Sequence, residues 1–320
     1  MSYTIIRQKD RNEWLRDREK GIGSSEVATI LGLNPYETPM QLWRRKKCID
    51  PPKPENFAMK AGHYLEDAVS RFYSDETGKE IIKASQGDWL IVNNEKPYLR
   101  VSPDRTFWIP GMPKNNRNKG IVECKTTQME VDKDNPPQHW FCQLQYQLGV
   151  AELEQGALAW LTMGRNFDYR EFTFDKEFYE WMVEEVDKFW RDNILANREP
   201  DPVNVEDVLL RNPRHVPGKT VEASHDIVEA CRKLKELKGE AKDIETEVKE
   251  IEEKVKMFIG DAEALTAHET STTDKPITLA TWKVSKDSSK FNEKAFAADE
   301  PSLYGKYLYT VPGTRRFILK

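Results

Sequence analysis

Two stretches of sequence decide the fold: YLRVSPDRTFWI at residues 98–109 and IVECKTT at residues 121–127. Both are rich in β-branched and aromatic residues and alternate in places between apolar and polar side chains, which is typical of β-strands. The polar segment between them, residues 113–120, turns the chain back. We therefore predict two neighbouring strands that bring Asp104 and Glu123 side by side at one end of a sheet.

The second of these strands carries Glu123, Cys124 and Lys125 in succession. Because residues i and i+2 of a strand face the same way, Glu123 and Lys125 share a face and Cys124 points away. Two carboxylates suit Mg²⁺, which prefers oxygen ligands and keeps several waters. A lysine beside them can orient or help deprotonate a water, or offset phosphate charge, while the metal lowers the pKa of the water. The pattern indicates phosphodiester hydrolysis, although an ion-paired surface hairpin also fits these three residues.

Helical patterns lie on both sides of these strands, and together they predict an α/β architecture with a central mixed sheet flanked by helices. The predicted helices are residues 10–19, a helix that follows Gly23, and residues 39–47, 57–76, 137–152 and 175–197. The further predicted strands are residues 80–84, 88–92, 157–163 and 169–174, the last two as a hairpin.

The sequence pattern changes at PDPVN, residues 200–204, and predicts two domains, residues 1–203 and 204–320. Ten residues of the second domain step by three and four over more than four heptads, which predicts a long coiled-coil-like helix. We call them the heptad seam: Ile227, Ala230, Leu234, Leu237, Ala241, Ile244, Val248, Ile251, Val255 and Phe258. The seam can pack within its own chain, pair with a copy of itself or dock a partner. A strand at 276–285, two short helices and a terminal strand, RRFILK, predict a small α/β region after it.

Composition narrows the class of protein. The 320 residues are 38% hydrophobic and 32% charged, with a net charge of −5, which excludes a uniformly basic coat for nucleic acid but not a local basic groove. No apolar run approaches the roughly 18 residues of a membrane helix, and the charged first residues predict no secretion signal. The four cysteines are scattered, which argues against a disulfide scaffold, a zinc site or an iron–sulfur cluster and fits the cytoplasm.

Three further segments carry candidate site residues. A glycine-rich turn, residues 21–23, precedes a helix, so free backbone N–H groups, Ser25 and Arg18 form a candidate anion pocket; simple helix capping by Ser24 or Ser25 also fits. Glu66 lies among apolar neighbours on its helix, where it is either a site residue or a solvated glutamate. Gln143 and Tyr146 share a helix face that either contacts a phosphate or forms a polar surface.

Five ordered blocks of this sequence resemble the YqaJ and lambda-exonuclease family of phage nucleases. They are residues 14–43 (WLRDREKGIGSSEVATILGLNPYETPMQLW), AGHYLEDAV, SPDR, IVECKTT and HWFCQLQYQLGV. The resemblance covers roughly residues 5–195. It implies the PD-(D/E)xK superfamily fold, a restriction-endonuclease-like core.

The resemblance also implies an activity. Members are Mg²⁺-dependent exonucleases, with Mn²⁺ expected to substitute, that act on linear double-stranded DNA from the 5′ end. They leave 3′ single-stranded tails for a single-strand annealing protein in phage recombination, which implies a phage or prophage protein in the bacterial cytoplasm. Short members form a homotrimeric ring, but the extension beyond residue 203 leaves the oligomeric state of this chain open.

Residue roles follow from the same resemblance, position by position. Asp104 and Glu123 match metal-binding carboxylates, the backbone carbonyl of Cys124 matches a further ligand, and Lys125 matches the catalytic lysine. Glu66 matches the helix glutamate that completes the acidic site. Arg18 and Ser25 match the pair that holds the 5′-terminal phosphate. Gln143 and Tyr146 match the Gln-x-x-Tyr positions beside the site.

Two alternatives are compatible with the sequence. One is a PD-(D/E)xK endonuclease, which would cleave closed circular DNA. The other is a DNA-binding recombination assembly protein, with the heptad seam as its partner-binding element.

Overall fold

The computed structural model describes residues 2–51, 56–82, 89–267 and 276–320. The chain divides into two compact units, Met1–Arg211 and Asn212–Lys320. Among the described residues, no helix combines the length and the apolar character that crossing a membrane requires.

A five-stranded mixed sheet holds the centre of the first unit. Its order is β3-β6-β7-β8-β9. Its strands are β3 (Ile81–Ile82), β6 (Arg105–Trp108), β7 (Lys119–Thr127), β8 (Gln155–Thr162) and β9 (Asn166–Thr173). Strand β7 pairs antiparallel with β6 and parallel with β8, and β8 and β9 form the predicted hairpin. The described part of the predicted strand 80–84 is β3, since residues 83 and 84 lie outside the described residues.

A second mixed sheet was not predicted. Its order is β1-β4-β5-β2. Its strands are β1 (Tyr3–Arg7), β2 (Ile22–Gly23), β4 (Trp89–Asn93) and β5 (Leu99–Val101). The predicted strand 98–109 is thus wrong as one strand, because its residues form two strands in different sheets, β5 in the second sheet and β6 in the central one. Pro103 explains the break, because it has no N–H for a strand ladder.

Helices cover both faces of the five-stranded sheet. The first unit contains α1 (Arg11–Arg18), α2 (Ser24–Ile30), α3 (Pro39–Lys46), α4 (Phe57–Thr77), α5 (Gln138–Ala151) and α6 (Lys176–Phe189). Side chains of α4 pack with Val122 and Cys124 in one hydrophobic cluster, whereas α5 packs with Ile121 in another that also includes residues of the second sheet. Helix α5 is therefore buried between the two sheets, which explains why nearly all of its residues are buried.

The predicted helix 175–197 is regular only as far as Phe189. A π-helical turn, Trp190–Leu195, continues it. The ring of Trp190 stacks on Tyr98 at 5.0 Å between centroids, which packs this turn against the first unit.

The first unit ends later than predicted, between residues 211 and 212 rather than 203 and 204. Its last helix, α7 (Val205–Arg211), buries Asp207 completely. One carboxylate oxygen of Asp207 accepts a hydrogen bond from the Thr38 hydroxyl at 2.8 Å, and the other accepts from the Val203 amide at 3.1 Å. Thr38 caps α3, so α7 is part of the first unit's hydrogen-bond network.

The second unit contains the predicted long helix, α8 (His225–Ile259). A hairpin, β10 (Ala264–Ala267) and β11 (Ile277–Thr281), follows, and β10 was not predicted. The two short helices are present as α9 (Glu293–Asp299) and α10 (Pro301–Tyr307). The predicted terminal strand is wrong: residues 308–320 have no regular secondary structure, since they pair with no described strand.

Candidate active site

The structure brings Asp104 and Glu123 together at one end of the β6–β7 pairing, opposite the loop that connects the two strands. Arg105 pairs with Val122 across the two strands, so Asp104 lies beside Glu123 in the antiparallel register. The Asp104 carboxylate accepts a hydrogen bond from the backbone N–H of Cys124 at 2.8 Å. The carboxylate is therefore held next to Glu123, as the two strand patterns predicted.

The two faces of β7 have different surroundings. Val122 and Cys124 point into the cluster under α4, and Glu123 and Lys125 point towards α5. Burial, followed by the charges of Asp104 and Glu123, raises the pKa of the Cys124 thiol well above its usual value. A protonated thiol is a poor metal ligand, so only the backbone carbonyl of Cys124 suits the predicted role.

Glu123, Lys125 and Gln143 form a closed hydrogen-bonded triangle. The Lys125 ammonium donates to Glu123 Oε1 at 2.6 Å and to Gln143 Oε1 at 2.8 Å. Gln143 Nε2 donates to the same Glu123 oxygen at 2.5 Å. Glu123 is 1% exposed, so its charge is balanced by these side-chain partners rather than by water.

Gln147 also lies in the site, although it was not among the residues predicted from the sequence. Its amide nitrogen donates to Glu123 Oε2 at 2.8 Å and to the Ser24 hydroxyl at 3.1 Å. It is fully buried, and its amide oxygen has no hydrogen-bond partner among the described residues. The signal was present in the sequence, since Gln143 and Gln147 are four apart and share a helix face.

The pKa is raised at both Asp104 and Lys125, although burial acts on the two groups in opposite directions. Burial, and then the negative charges of Glu123 and Glu66, raise the pKa of Asp104 well above its usual value. Burial alone would lower the pKa of Lys125, but Glu123 and Asp104 outweigh it and the pKa is raised. Lys125 is therefore an ammonium group at neutral pH, suited to orienting and neutralising an anion rather than to removing a proton.

Glu66 lies on α4, across a cleft from the end of β7. The cleft has a volume of about 250 Å³ and is lined by Met59, Gly62, His63, Glu66, Val69, Cys124, Lys125 and Thr126. His63 Nδ1 is 3.1 Å from one oxygen of Glu66, and the Arg105 guanidinium is 3.9 Å from the other. Arg105 also donates to the backbone carbonyl of Asp104 at 2.6 Å, so this arginine ties Glu66 to the Asp104 turn.

Arg18 and Ser25 are in direct contact, as the anion-pocket hypothesis requires. The Arg18 guanidinium donates to the Ser25 hydroxyl at 2.5 Å and lies 5.1 Å from the centre of the Trp14 ring. Ser25 is exposed and Gly23 is the N-cap of α2. The two groups therefore offer a guanidinium and a hydroxyl on one side of the glycine turn.

A buried ion-pair cluster stabilises the glycine turn at residues 21–23. Glu26 accepts a hydrogen bond from the Gly23 amide at 2.8 Å and forms ion pairs with Arg45 and Lys46, each at 2.9 Å. Burial alone would raise the pKa of Glu26, but Lys46, Arg45 and Arg18 outweigh it and lower the pKa to about 2. Glu26 is thus ionised at neutral pH and holds the backbone of Gly23 in place.

Tyr146 does not lie where its predicted contact with DNA requires. Its side chain is fully buried, and its hydroxyl donates to the backbone carbonyl of Ile22 at 3.3 Å. A residue on the buried side of α5 cannot meet a phosphate directly. The contact instead positions the Ile22–Gly23 strand that precedes Ser24 and Ser25.

The donor set around Asp104 fits a hard divalent cation. Asp104 and Glu123 supply carboxylate oxygens. Burial, and then the negative charges of Glu123 and Glu66, raise the pKa of Asp104, and a bound cation would offset both effects. Across the four described ranges, no three His, Cys, Asp or Glu side chains are grouped as around a metal ion. The two carboxylates and the Cys124 carbonyl are the candidate ligands, and their metal roles, like that of Glu66, stay predictions.

The site lies within a segment that matches a known family. Residues 13–154 match the family model described as the YqaJ-like viral recombinase domain. Every residue predicted for the site, from Arg18 to Tyr146, lies inside the YqaJ-like segment.

A curated relative extends the likeness. The chain is 30% identical over 200 residues to the uncharacterized protein YqaJ of Bacillus subtilis, covering 60% of this chain. The match spans 59% of the length of that relative.

Solved structures show weaker likenesses. The alkaline exonuclease LHK-Exo from Laribacter hongkongensis is 15% identical, with a TM-score of 0.44 over 58% of this chain and 93% of its own. A phage-related exonuclease from Haemophilus somnus is 11% identical, with a TM-score of 0.41 over 56% of this chain and 96% of its own. TM-scores this low support no conclusion about activity.

Proposed function

We propose that this protein is a Mg²⁺-dependent 5′-to-3′ exonuclease that acts on linear double-stranded DNA and leaves 3′ single-stranded tails for an annealing protein. The observation that carries the proposal is the convergence of Asp104, Glu123 and Lys125 at the part of β7 just beyond its pairing with β6. The YqaJ-like viral recombinase domain over the same residues supports a role in phage-type recombination.

The chemistry would rest on charge compensation at the scissile phosphate. Asp104, Glu123 and the Cys124 carbonyl would hold Mg²⁺, with Mn²⁺ as a substitute, and the bound ion would supply an acidified water and neutralise phosphate charge. The Lys125 ammonium would orient the water and the phosphate. Gln143 would hold Lys125 and Glu123 in position through its hydrogen bonds to both side chains. Glu66 would face the same cleft from α4.

The 5′-phosphate would bind beside the Arg18–Ser25 pair, with both side chains facing it. An arginine pairs with phosphate oxygens through two parallel N–H donors, and a hydroxyl adds a further donor. Gln147 connects Ser24, next to this pocket, with Glu123. A strand end anchored here would be held at a constant distance from the carboxylates, which favours removal of terminal nucleotides over internal cleavage.

The test is nucleotide release from end-labelled linear duplex in Mg²⁺, in Ca²⁺ and in EDTA. We expect release from the 5′-labelled strand in Mg²⁺ only, and a loss of about 10²-fold or more for Lys125→Ala, since it removes electrostatic stabilisation of the transition state. Lys133→Ala is the matched control, because Lys133 is ion-paired with Asp168 at the surface. Equal rates for Lys125→Ala and the wild type would refute the assignment.

The same assay separates the exonuclease from its alternatives. A 5′-hydroxyl end should be degraded more slowly than a 5′-phosphate end, and Arg18→Ala should abolish that difference while Arg16→Ala retains it. Cleavage of closed circular DNA would instead favour an endonuclease. DNA binding without hydrolysis in any metal would favour an assembly protein.

A further inference from the structure

The heptad seam of α8 is exposed although it is apolar. The exposed fractions are 61% at Ile244, 56% at Ile251 and 80% at Phe258. A helix of 35 residues, with a length of about 50 Å, gains most of its stability from packing an apolar face. The helix therefore requires a partner along this stripe.

A parallel pair of α8 helices would pack its own core poorly. In a parallel pair each seam residue faces its own copy, because the a and d positions of the heptad lie in layers. Ala230 would face Ala230 and Ala241 would face Ala241, which leaves two underfilled layers, while Phe258 would face Phe258. In a parallel pair, small seam residues would therefore face small ones and large residues would face large ones, so the core would not be evenly filled.

The charges beside the seam also oppose a parallel pair. Position g of one parallel helix meets position e of the next heptad in the other. These contacts would be Lys233 with Lys238, Glu240 with Glu245, and Glu247 with Glu252. All three bring like charges together.

An antiparallel pair places large residues against small ones. With the helices centred near residue 246, the layers pair Leu234 with Phe258, Leu237 with Val255, Ala241 with Ile251, and Ile244 with Val248 of the second copy. Each alanine layer in the overlap is then filled by a β-branched residue, which is what dense core packing requires.

The charges agree with the same antiparallel register. Glu240 meets Lys254 of the second copy, and Lys238 meets Glu252 of the second copy, each pair occurring twice by symmetry. Only Glu245 and Glu247, beside the twofold axis, face their own copies. We propose that α8 binds α8 of a second copy of this chain in an antiparallel coiled coil, so that the C-terminal unit is a dimerisation element.

The first test is the molar mass of the full chain by sedimentation equilibrium. We expect Ile244→Lys/Ile251→Lys to halve the mass of the wild-type species and to weaken self-association by at least about tenfold, since it places ammonium groups in an apolar interface. Thr246→Lys, on the outer face of the helix, is the matched control and should leave the mass unchanged. A wild-type monomer, or equal mass for the seam variant, would overturn the proposal.

The second test reads the direction of pairing by disulfide formation. The exposed Cys48 and Cys231 are first replaced by serine, which leaves only the buried Cys124 and Cys142. In that background Ala241→Cys/Ile251→Cys should give covalent dimers on mild oxidation, and Ala241→Cys alone should not. Covalent dimers from Ala241→Cys alone would show a parallel pair and refute the antiparallel one.

Charge reversal gives an independent readout. Glu240→Lys should weaken the dimer by about tenfold, and adding Lys254→Glu should restore it, because the attractive contact is rebuilt with its signs exchanged. In a parallel pair Glu240→Lys would strengthen the dimer, since its neighbour there is Glu245. Strengthening would therefore contradict the proposed geometry.

Discussion

Gln147 joins two parts of the candidate site that are far apart in the sequence. It donates both to Glu123, beside the proposed metal ligands, and to Ser24, beside the proposed phosphate pocket. Its full burial means that water cannot replace either contact. We regard it as a positioning residue that sets the separation between the anchored strand end and the carboxylates.

Replacing Gln147 tests that role. We expect Gln147→Leu to lower kcat by about tenfold or more and to reduce the preference for 5′-phosphate ends, with a smaller change in KM, because the strand end stays bound but misaligned. Gln145→Leu is the matched control, since Gln145 is equally buried but hydrogen-bonds Thr173 and Asp175 on the other side of α5. Equal kinetic effects of the two variants would indicate a merely structural role.

Glu26 makes stability depend on pH. Its pKa is lowered to about 2 in the folded chain, so its stabilising effect is complete above its ordinary pKa and is lost as the pH falls towards 2. A shift of this size corresponds to about 3 kcal/mol. Chemical denaturation between neutral pH and about pH 3 should show about 2 kcal/mol of that loss in the wild type, because the rest is lost only as the pH falls further towards 2.

Glu26→Gln should remove the pH-dependent part of this stability. At neutral pH we expect about 3–5 kcal/mol of destabilisation, because Lys46 and Arg45 lose their buried partner. Glu229→Gln, at an exposed ion pair with Arg232, should change stability by less than about 1 kcal/mol. A variant that loses as much stability in acid as the wild type would exclude Glu26 as the source.

At the scale of single elements, α5 is the helix on which the first unit depends. It lies between the two sheets, and Gly149 brings it close to α6: a Cβ at this position would be 2.3 Å from the ring of Tyr179. A side chain there requires the partly buried ring of Tyr179 or the helix to move. The close approach, rather than any turn, explains this glycine.

The matching prediction compares two glycines inside helices. Gly149→Ala should destabilise the first unit by about 1–3 kcal/mol through overpacking. Gly239→Ala, in α8 where a Cβ meets nothing within 4 Å, should instead stabilise its helix by about 1 kcal/mol. Denaturant titration of both variants measures the signs, and stabilisation by Gly149→Ala would contradict the described packing.

At the scale of the whole molecule, the end of the first unit decides which shortened chain folds. A chain ending at Arg211 should keep Mg²⁺-dependent hydrolysis and the melting temperature of the first unit. A chain ending at Val203 should be less stable by about 1–3 kcal/mol, because Thr38 loses the buried carboxylate of Asp207. Equal thermal unfolding of the two chains would show that α7 contributes nothing.

The candidate site was predictable where its residues lie on one element or on two neighbouring ones. Glu123 and Lys125 share a strand face by simple alternation. The position of Asp104 beside Glu123 was predictable because the chain reverses between the two strands. The contact of Arg18 with Ser25 was predictable for the same reason, because the two residues are only seven positions apart. Tyr146 was misplaced because helical spacing shows that residues share a face but not which face is buried.

The sequence by itself determined the main elements, the strand pair that carries the carboxylates and the heptad periodicity of α8, because these depend on patterns within one element or between two neighbouring ones. Only the tertiary structure decided that residues 98–109 serve two sheets, that Gln147 links Ser24 with Glu123, and that α7 belongs to the first unit. Such contacts join residues that are distant in the sequence: Gln147 is 123 positions from Ser24, and Asp207 is 169 positions from Thr38. They depend on the packing of α5 between two sheets, which no local pattern encodes.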